Sequence, residues 1–325
     1  MRQFITRQSR GKHFTYQDGN GQSIRDDKVL KRIKSLAVPP AWKNVHISTS
    51  PHAKILATGT DAAGRKQALY HPDFRAAQDQ SKFERILEFG KHLPSLRRQV
   101  DKDLARRKLT KEKVCACVVR LMDDAHFRIG NEQYAKEHGH YGITTLRRKH
   151  LDINTTSVTF DFVGKSGQQQ HKTISDRQIA QLIKQLDELP GYEVFQYIDE
   201  DGLVKNLDSA IVNSYIKQHM GDAYSAKDFR TWGGTLMAAS ELAVSDYLDS
   251  TQARKKFVTT CIKRVAKQLG NTPAITRASY IDPRVLHAFE ANEIAKVRNA
   301  VAKMRPRKYM KPEERCVLQL LRQAS

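Results

Sequence analysis

The stretch Val158-Thr159-Phe160-Asp161-Phe162-Val163-Gly164-Lys165-Ser166-Gly167 decides how the chain divides into elements. From Val158 to Phe162 apolar and polar side chains alternate, the period of a half-buried strand. Val163–Gly167 reads as a hairpin turn and Gln168–Ile174 as the return strand. This hairpin is the centre of a strand-rich insert from about Gly142 to Ile174, and the chain around it is helical in pattern. Before it, Lys82–Arg107 is helical with a break near Pro94, and Lys111–Phe127 follows. After it, a helix capped by Ser175 with Gln178 ends at Leu189-Pro190-Gly191. Asp208–Met220 is closed by Gly221. Ser225 with Asp228 opens a helix to about Leu248, whose apolar stripe is Phe229, Trp232, Leu236, Ala239, Ala243 and Tyr247. Thr251–Leu269 stops at Gly270, a short helix covers Ala274–Tyr280, and a last helix is predicted from Pro283 to about Met304.

The amino-terminal part reads differently. Residues 1–75 are rich in Gly, Pro and short β-type runs such as Val45-His46-Ile47-Ser48 and Lys54-Ile55-Leu56-Ala57-Thr58, with one short helix over Asp27–Ser35. The composition turns polar at Ala76–Ser81. The predicted fold class is therefore α+β: a small, mostly β domain over residues 1–80, and a larger, mainly α-helical domain with a β-hairpin insert over residues 81–325.

The 325 residues carry 56 Lys and Arg against 35 Asp and Glu, a net charge of +21. Counted from the sequence, residues 1–80 contribute +8 and residues 81–325 contribute +13, so both domains are basic. A surplus spread over two folded parts predicts a polyanionic partner, nucleic acid first. No apolar run approaches the ~20 residues of a membrane helix, and Met1–Arg7 lacks the apolar stretch of a signal peptide. No membrane partner is expected, and four cysteines suit a reducing cytoplasm.

Metal and nucleotide sites are not predicted. Cys115 and Cys117 are one residue apart on an apolar helix, a gap wrong for zinc, and read as packed thiols. His138 and His140 have no ligand cluster nearby. There is no P-loop or GxGxxG, and Gly233-Gly234 lies mid-helix, where close packing explains it. No cofactor is expected.

Five residues stand out by context. Arg128 sits where one helical pattern gives way to another; Lys165 is at the hairpin tip; Arg230 is in the first turns of a capped helix. Asn271 follows a helix-ending glycine, and Tyr280 lies near a helix end. Singly, each has an ordinary structural role: surface ion pairing for the arginines, a polar turn residue, a C-cap, a packed tyrosine. As a set they suit phosphoryl transfer without metal. Two guanidiniums can fork onto the non-bridging oxygens of a phosphodiester and stabilise the transition-state charge. A lysine can protonate a departing alkoxide, and a tyrosine can be the nucleophile once nearby cations help release its proton.

At these residues the chain resembles the type IB DNA topoisomerases of the poxvirus-like, bacterial kind. The likeness covers nearly the whole chain in order. Val38-Pro39-Pro40-Ala41-Trp42 and Ala57-Thr58-Gly59-Thr60-Asp61-Ala62-Ala63-Gly64-Arg65-Lys66-Gln67 resemble the amino-terminal DNA-clamping domain. Phe127–Asn131 resembles the first arginine motif, Phe162–Lys165 the lysine hairpin, Lys227–Gly233 the second arginine motif, and Ala278-Ser279-Tyr280 the tyrosine motif. The resemblance implies a C-shaped clamp on duplex DNA, with the catalytic fold that tyrosine recombinases share, acting as a monomer on supercoiled substrate in the bacterial cytoplasm at the nucleoid. It implies Tyr280 as nucleophile, Lys165 as general acid, Arg128 and Arg230 as phosphate ligands, and Lys227 beside them. Many members have histidine where this chain has Asn271. Asparagine can only donate a hydrogen bond there, a form that resembles the bacterial branch. Gln67 and Tyr70 align with a DNA-contacting stretch in which Ala68 replaces a frequent aromatic.

Two alternatives share parts of this pattern. A tyrosine site-specific recombinase usually has His-x-Leu-Arg-His at its second arginine, where this chain has Lys227-Asp228-Phe229-Arg230-Thr231, and usually a helical amino-terminal domain. A catalytically silent DNA-binding clamp would not need the whole set. The basic stretch Lys296–Arg315 reads either as a DNA grip or as a solvated face.

Overall fold

Alternating apolar residues in the first 70 positions build an antiparallel sheet. The computed structural model describes residues 4–11, 13–62, 64–243, 250–291, 293–294, 299, 303–305 and 307–323. Two compact units emerge, Met1–Lys82 and Phe83–Ser325. In the first, strands β1 (Phe4–Arg10), β2 (His13–Gln17), β3 (Lys43–Ser48), β4 (Ile55–Thr60) and β5 (Lys66–Tyr70) are ordered β2-β1-β3-β4-β5. Ile5 pairs with Ile47, and Ile47 with Ala57, so one face of the sheet is apolar across three strands. Helix α1 (Asp27–Ser35) covers that face with Ile33. The Asp26 carboxylate starts α1 by accepting from the backbone N–H groups of Lys28 and Val29.

Helix α2 spans Pro72–Leu104. The sequence predicts a polar domain boundary over Ala76–Ser81, a helix start at Lys82 and a break near Pro94; the helix contains all three places without interruption. Pro72 sits at the first helical position, where no N–H is needed. At Pro94 the helix loses one backbone hydrogen bond. Leu93 and Leu96 on either side are fully buried, as are Ile86, Phe89 and Val100 along the same stripe, and that packing holds the helix through the proline.

The second unit is mainly helical around a single apolar core. Helix α3 (Lys111–Ala125) ends in His126, which caps it in the left-handed region at φ 56°. Cys115 and Cys117 are buried in α3, and burial pushes both thiols up to about 12. After α4 (Glu132–His138), strands β6 (Leu151–Ile153), β7 (Val158–Val163) and β8 (Gln169–Ile174) form an antiparallel sheet in sequence order. Helix α5 (Arg177–Asp187) is capped by Asp176, not Ser175: its carboxylate reaches the N–H groups of Gln178 and Ile179, where a serine one residue earlier would fall short. A small hairpin, β9 (Gln196–Ile198) with β10 (Val204–Asn206), has no counterpart in the sequence reading.

Helices α6 (Ser209–Met220), α7 (Ala226–Ala243), α8 (Thr251–Leu269), α9 (Pro273–Tyr280) and α10 (Pro283–Glu290) follow. The predicted extension of α7 to Leu248 lies outside the described residues. The helix from Pro283 does not run to Met304. It closes at Glu290, where Ala291 caps it by donating to His287 O and Phe289 O, and a further helix, Pro312–Gln323, closes the described chain. Its Glu314, 1% exposed, receives Arg97 and the indole N–H of Trp232, while Arg97 also pairs with Asp123 at 2.6 Å. The carboxyl of Glu314 would be raised by burial, but Arg97 holds it below its ordinary value. Much of the Lys296–Arg315 stretch lies outside the described residues. No described helix is long and apolar enough to cross a membrane.

Candidate active site

The glycine pair of α7 brings the site's parts together. A Cβ on Gly233 would lie 2.4 Å from the His126 imidazole, and one on Gly234 would lie 2.4 Å from the backbone oxygen of Tyr280. So the end of α3 and the end of α9 both close onto α7 at successive residues, one turn after Arg230.

Arg230 is 4% exposed. Its Nη1 donates to His126 O at 2.6 Å and its Nη2 to Leu269 O at 2.8 Å, joining the carboxyl ends of α3 and α8. Its guanidinium carbon lies 5.1 Å from the centre of the Tyr280 ring. Arg128, two residues past the α3 cap, donates from Nη2 to Gly270 O at 2.8 Å and to Asn271 Oδ1 at 2.6 Å. Asn271 is presented by Gly270, which ends α8 at φ 59°. Two buried donors at this point have no hydrogen-bond partner among the described residues: Arg230 Nε and Asn271 Nδ2.

Burial, then the charge of Arg230, lowers Arg128 to about 10. Burial would raise the Tyr280 phenol. The charge of Arg230 with its hydrogen bonding, then the charges of Arg128 and Lys165, outweigh burial and leave the phenol below its ordinary value. A tyrosine held among three cations is easier to deprotonate, as a nucleophile requires.

Lys165 occupies the β7–β8 turn, which closes through Gly164 N–H to Gln168 O at 2.8 Å, with Ser166 at φ 63°. Its side chain is exposed. Lys227 is exposed in the first turn of α7, three residues before Arg230. Asp228 beneath it is buried and accepts from Ser225 N–H and from Arg85, which fixes the start of α7. Gln67 and Tyr70 belong to the first unit. Gln67 donates to Asp61 Oδ2 at 2.9 Å, and Tyr70, 47% exposed, stacks on Phe74.

One residue escaped the sequence reading. Lys172 pairs with buried Phe160 across the sheet and takes the inward-facing register of β8. Its Nζ donates to Ala125 O at 2.6 Å and to Gln268 O at 3.1 Å. A lysine on the inner face of an alternating strand was the available signal.

The site gathers two guanidiniums, an amide and a tyrosine whose phenol they bias towards ionisation. The catalytic-core model of eukaryotic DNA topoisomerase I matches residues 71–308, and the model of the bacterial DNA topoisomerase IB N-terminal domain matches residues 13–61. The chain is 34% identical to DNA topoisomerase 1B of Acanthamoeba polyphaga mimivirus over 295 residues, 89% of this chain and 88% of the relative. It is 25% identical to DNA topoisomerase 1B of vaccinia virus (strain Copenhagen) over 72% of each chain. It is also 26% identical to DNA topoisomerase 1 beta of Arabidopsis thaliana over 75% of this chain and 29% of that one. The chain belongs to the type IB DNA topoisomerases, isomerases that act on DNA.

Proposed function

We propose that Tyr280 Oη attacks a phosphodiester of duplex DNA, with Arg128 and Arg230 on the non-bridging oxygens. The Oη–P bond forms as the phenol gives up its proton to solvent water, and the P–O5′ bond breaks. Lys165 gives its proton to the departing 5′ oxygen, leaving a 3′-phosphotyrosyl linkage. Asn271 Nδ2 donates to a non-bridging oxygen while its Oδ1 keeps Arg128 in place. The cut strand swivels, the 5′ hydroxyl attacks the linkage, and the steps run backwards. The phosphoester exchange is near thermoneutral, so ATP has no step to drive, and the two guanidiniums supply the charge a metal ion would.

The observation that carries this reading is the pair of unpaired donors, Arg230 Nε and Asn271 Nδ2, buried beside a phenol whose proton is loosened. Buried donors without acceptors are costly, and a phosphate oxygen satisfies both. Lys227, Gln67 and Tyr70 add contacts to the flanking duplex in this reading, and two basic units act as a clamp on it, in a monomer at the bacterial nucleoid with the catalytic fold of the tyrosine recombinases.

The test is a denaturant trap. Protein is mixed with supercoiled plasmid in EDTA without ATP, quenched, and assayed for DNA-linked protein and for relaxation. Wild-type protein gives both and Tyr280→Phe gives neither. An adduct from Tyr280→Phe, or a strict magnesium requirement, defeats the proposal.

A further inference from the structure

We infer that Lys172 is a positioning residue for cleavage: its ammonium ties the carboxyl ends of α3 and α8, so that Arg128, Arg230 and Asn271 converge on one phosphate. The inference rests on the proposed function of the same site. Its basis is a pattern of consecutive carbonyls. At the end of α8, Gln268 O receives Lys172, Leu269 O receives Arg230, and Gly270 O receives Arg128. At the end of α3, Ala125 O receives Lys172 and His126 O receives Arg230. The last carbonyls of a helix lack intrahelical donors and carry partial negative charge. Two cations therefore cross-link the same two helix ends at adjacent residues. Arg128 lies two residues beyond the cap of one helix, and Asn271 directly follows the cap of the other. Arg230 makes one of the two bridges with its Nη atoms and keeps Nε for the substrate; Lys172 makes the other and holds the frame without facing it. Lys172 also lies on the return strand of the hairpin that carries Lys165, so it moors the general acid to the same frame.

Lys172 faces Arg128, Arg230 and the His126 imidazole, and its Nζ lies 5.5 Å from the Phe127 ring centre. Burial, then the charges of Arg230 and Arg128, lowers it to about 8. The cross-link therefore weakens as pH rises through about 8, when the ammonium loses its charge.

The test is single-turnover cleavage of a duplex whose cut 5′ strand diffuses away, for wild type, Lys172→Met and Lys172→Arg. Rates at saturating DNA, noncovalent affinity for an uncleaved duplex, and the second-order rate against pH are measured. Lys172→Met should lose on the order of 10²-fold in the saturated rate, the effect of a displacement of about 1 Å, and keep its affinity for duplex. Lys172→Arg should recover part of that loss and lack the falling alkaline limb near pH 8 that wild type shows, because a guanidinium stays charged. Three results overturn the inference: a wild-type rate in Lys172→Met, equal losses of rate and affinity, or an unchanged alkaline limb in Lys172→Arg. Should Lys172→Met fail to fold, the Lys172→Arg profile decides alone. No adduct from wild type defeats the proposed function itself; a cleaving wild type with any of the three results defeats only the role of Lys172.

Discussion

Arg128 Nη2 and Asn271 Oδ1 lie 2.6 Å apart, and this contact decides which way the Asn271 amide points. With its oxygen taken by the guanidinium, the amide can offer only N–H groups to a substrate. Asn271→Ala should therefore cost about tenfold in single-turnover cleavage, the worth of one hydrogen bond. Arg230→Ala should cost ~10²- to 10³-fold, the usual loss for a transition-state donor. Asn271→Asp should fall below Asn271→Ala, because it keeps the Arg128 partner but sets a carboxylate against the phosphate. Equal losses in Asn271→Ala and Arg230→Ala would rule out the donor-only role.

Gly234→Ala tests how Tyr280, the proposed nucleophile, is seated. The added methyl would sit 2.4 Å from Tyr280 O, a backbone atom that cannot swing aside. We expect roughly a 10²-fold drop in cleavage from the displaced tyrosine, with duplex binding retained. Normal cleavage by Gly234→Ala would show that Tyr280 is not held by this contact.

His126 makes stability fall in mild acid. Burial, then the charge of Lys172, lowers its pKa to about 4 against 6.5 for the free side chain. Between those values the unfolded chain binds a proton that the folded protein does not, so stability is lost as pH drops from about 6.5 towards 4. The shift corresponds to roughly 3 kcal/mol. Urea melts of wild type should show this loss, and His126→Asn, which tolerates φ 56°, should show less of it. An identical pH dependence in the variant would remove His126 as the cause.

Glu314 should matter to stability out of proportion to its distance from the chemistry. Glu314→Ala leaves Arg97 with one carboxylate and the Trp232 N–H without its acceptor. Breaking a buried pair in this way costs about 3–5 kcal/mol. Thermal melting should show it, with Glu314→Gln milder; a melting temperature unchanged in Glu314→Ala would contradict the account.

Salt should weaken binding more than it weakens the bound reaction. Counterion release makes duplex affinity fall linearly in log–log form with added salt. Cleavage from the preformed complex, driven by buried groups, should change little. A saturated rate as salt-sensitive as the affinity would argue against a buried phosphate site.

The sequence carried local structure better than distant structure. The hairpin over Val158–Ile174 showed itself by alternation, and α8 by its glycine stop, because both signals are set by neighbouring residues. Pro94 misled, since the missing N–H is visible in sequence and the burial of Leu93 and Leu96 is not. Strands of three residues, as at Gln196–Ile198 and Val204–Asn206, are too short for periodicity to show. The residues proposed for the site were named from motif order. What holds them was hidden, because the partners of Arg230 are 104 and 39 residues away in the chain. Lys172 was passed over for the same reason.

Arg128, Arg230 and Lys172 are anchored to five backbone carbonyls and one amide oxygen, all of them uncharged. Carboxylates would have fixed the same side chains as firmly, and would have cancelled their charge in doing so. Held by dipoles, the three cations stay immobile and yet unneutralised. An arriving phosphate displaces no competing anion, and the protein need not reorganise around it. The same arrangement makes small oxyanions natural competitors for this pocket: inorganic phosphate or sulfate would meet the same unspent charge.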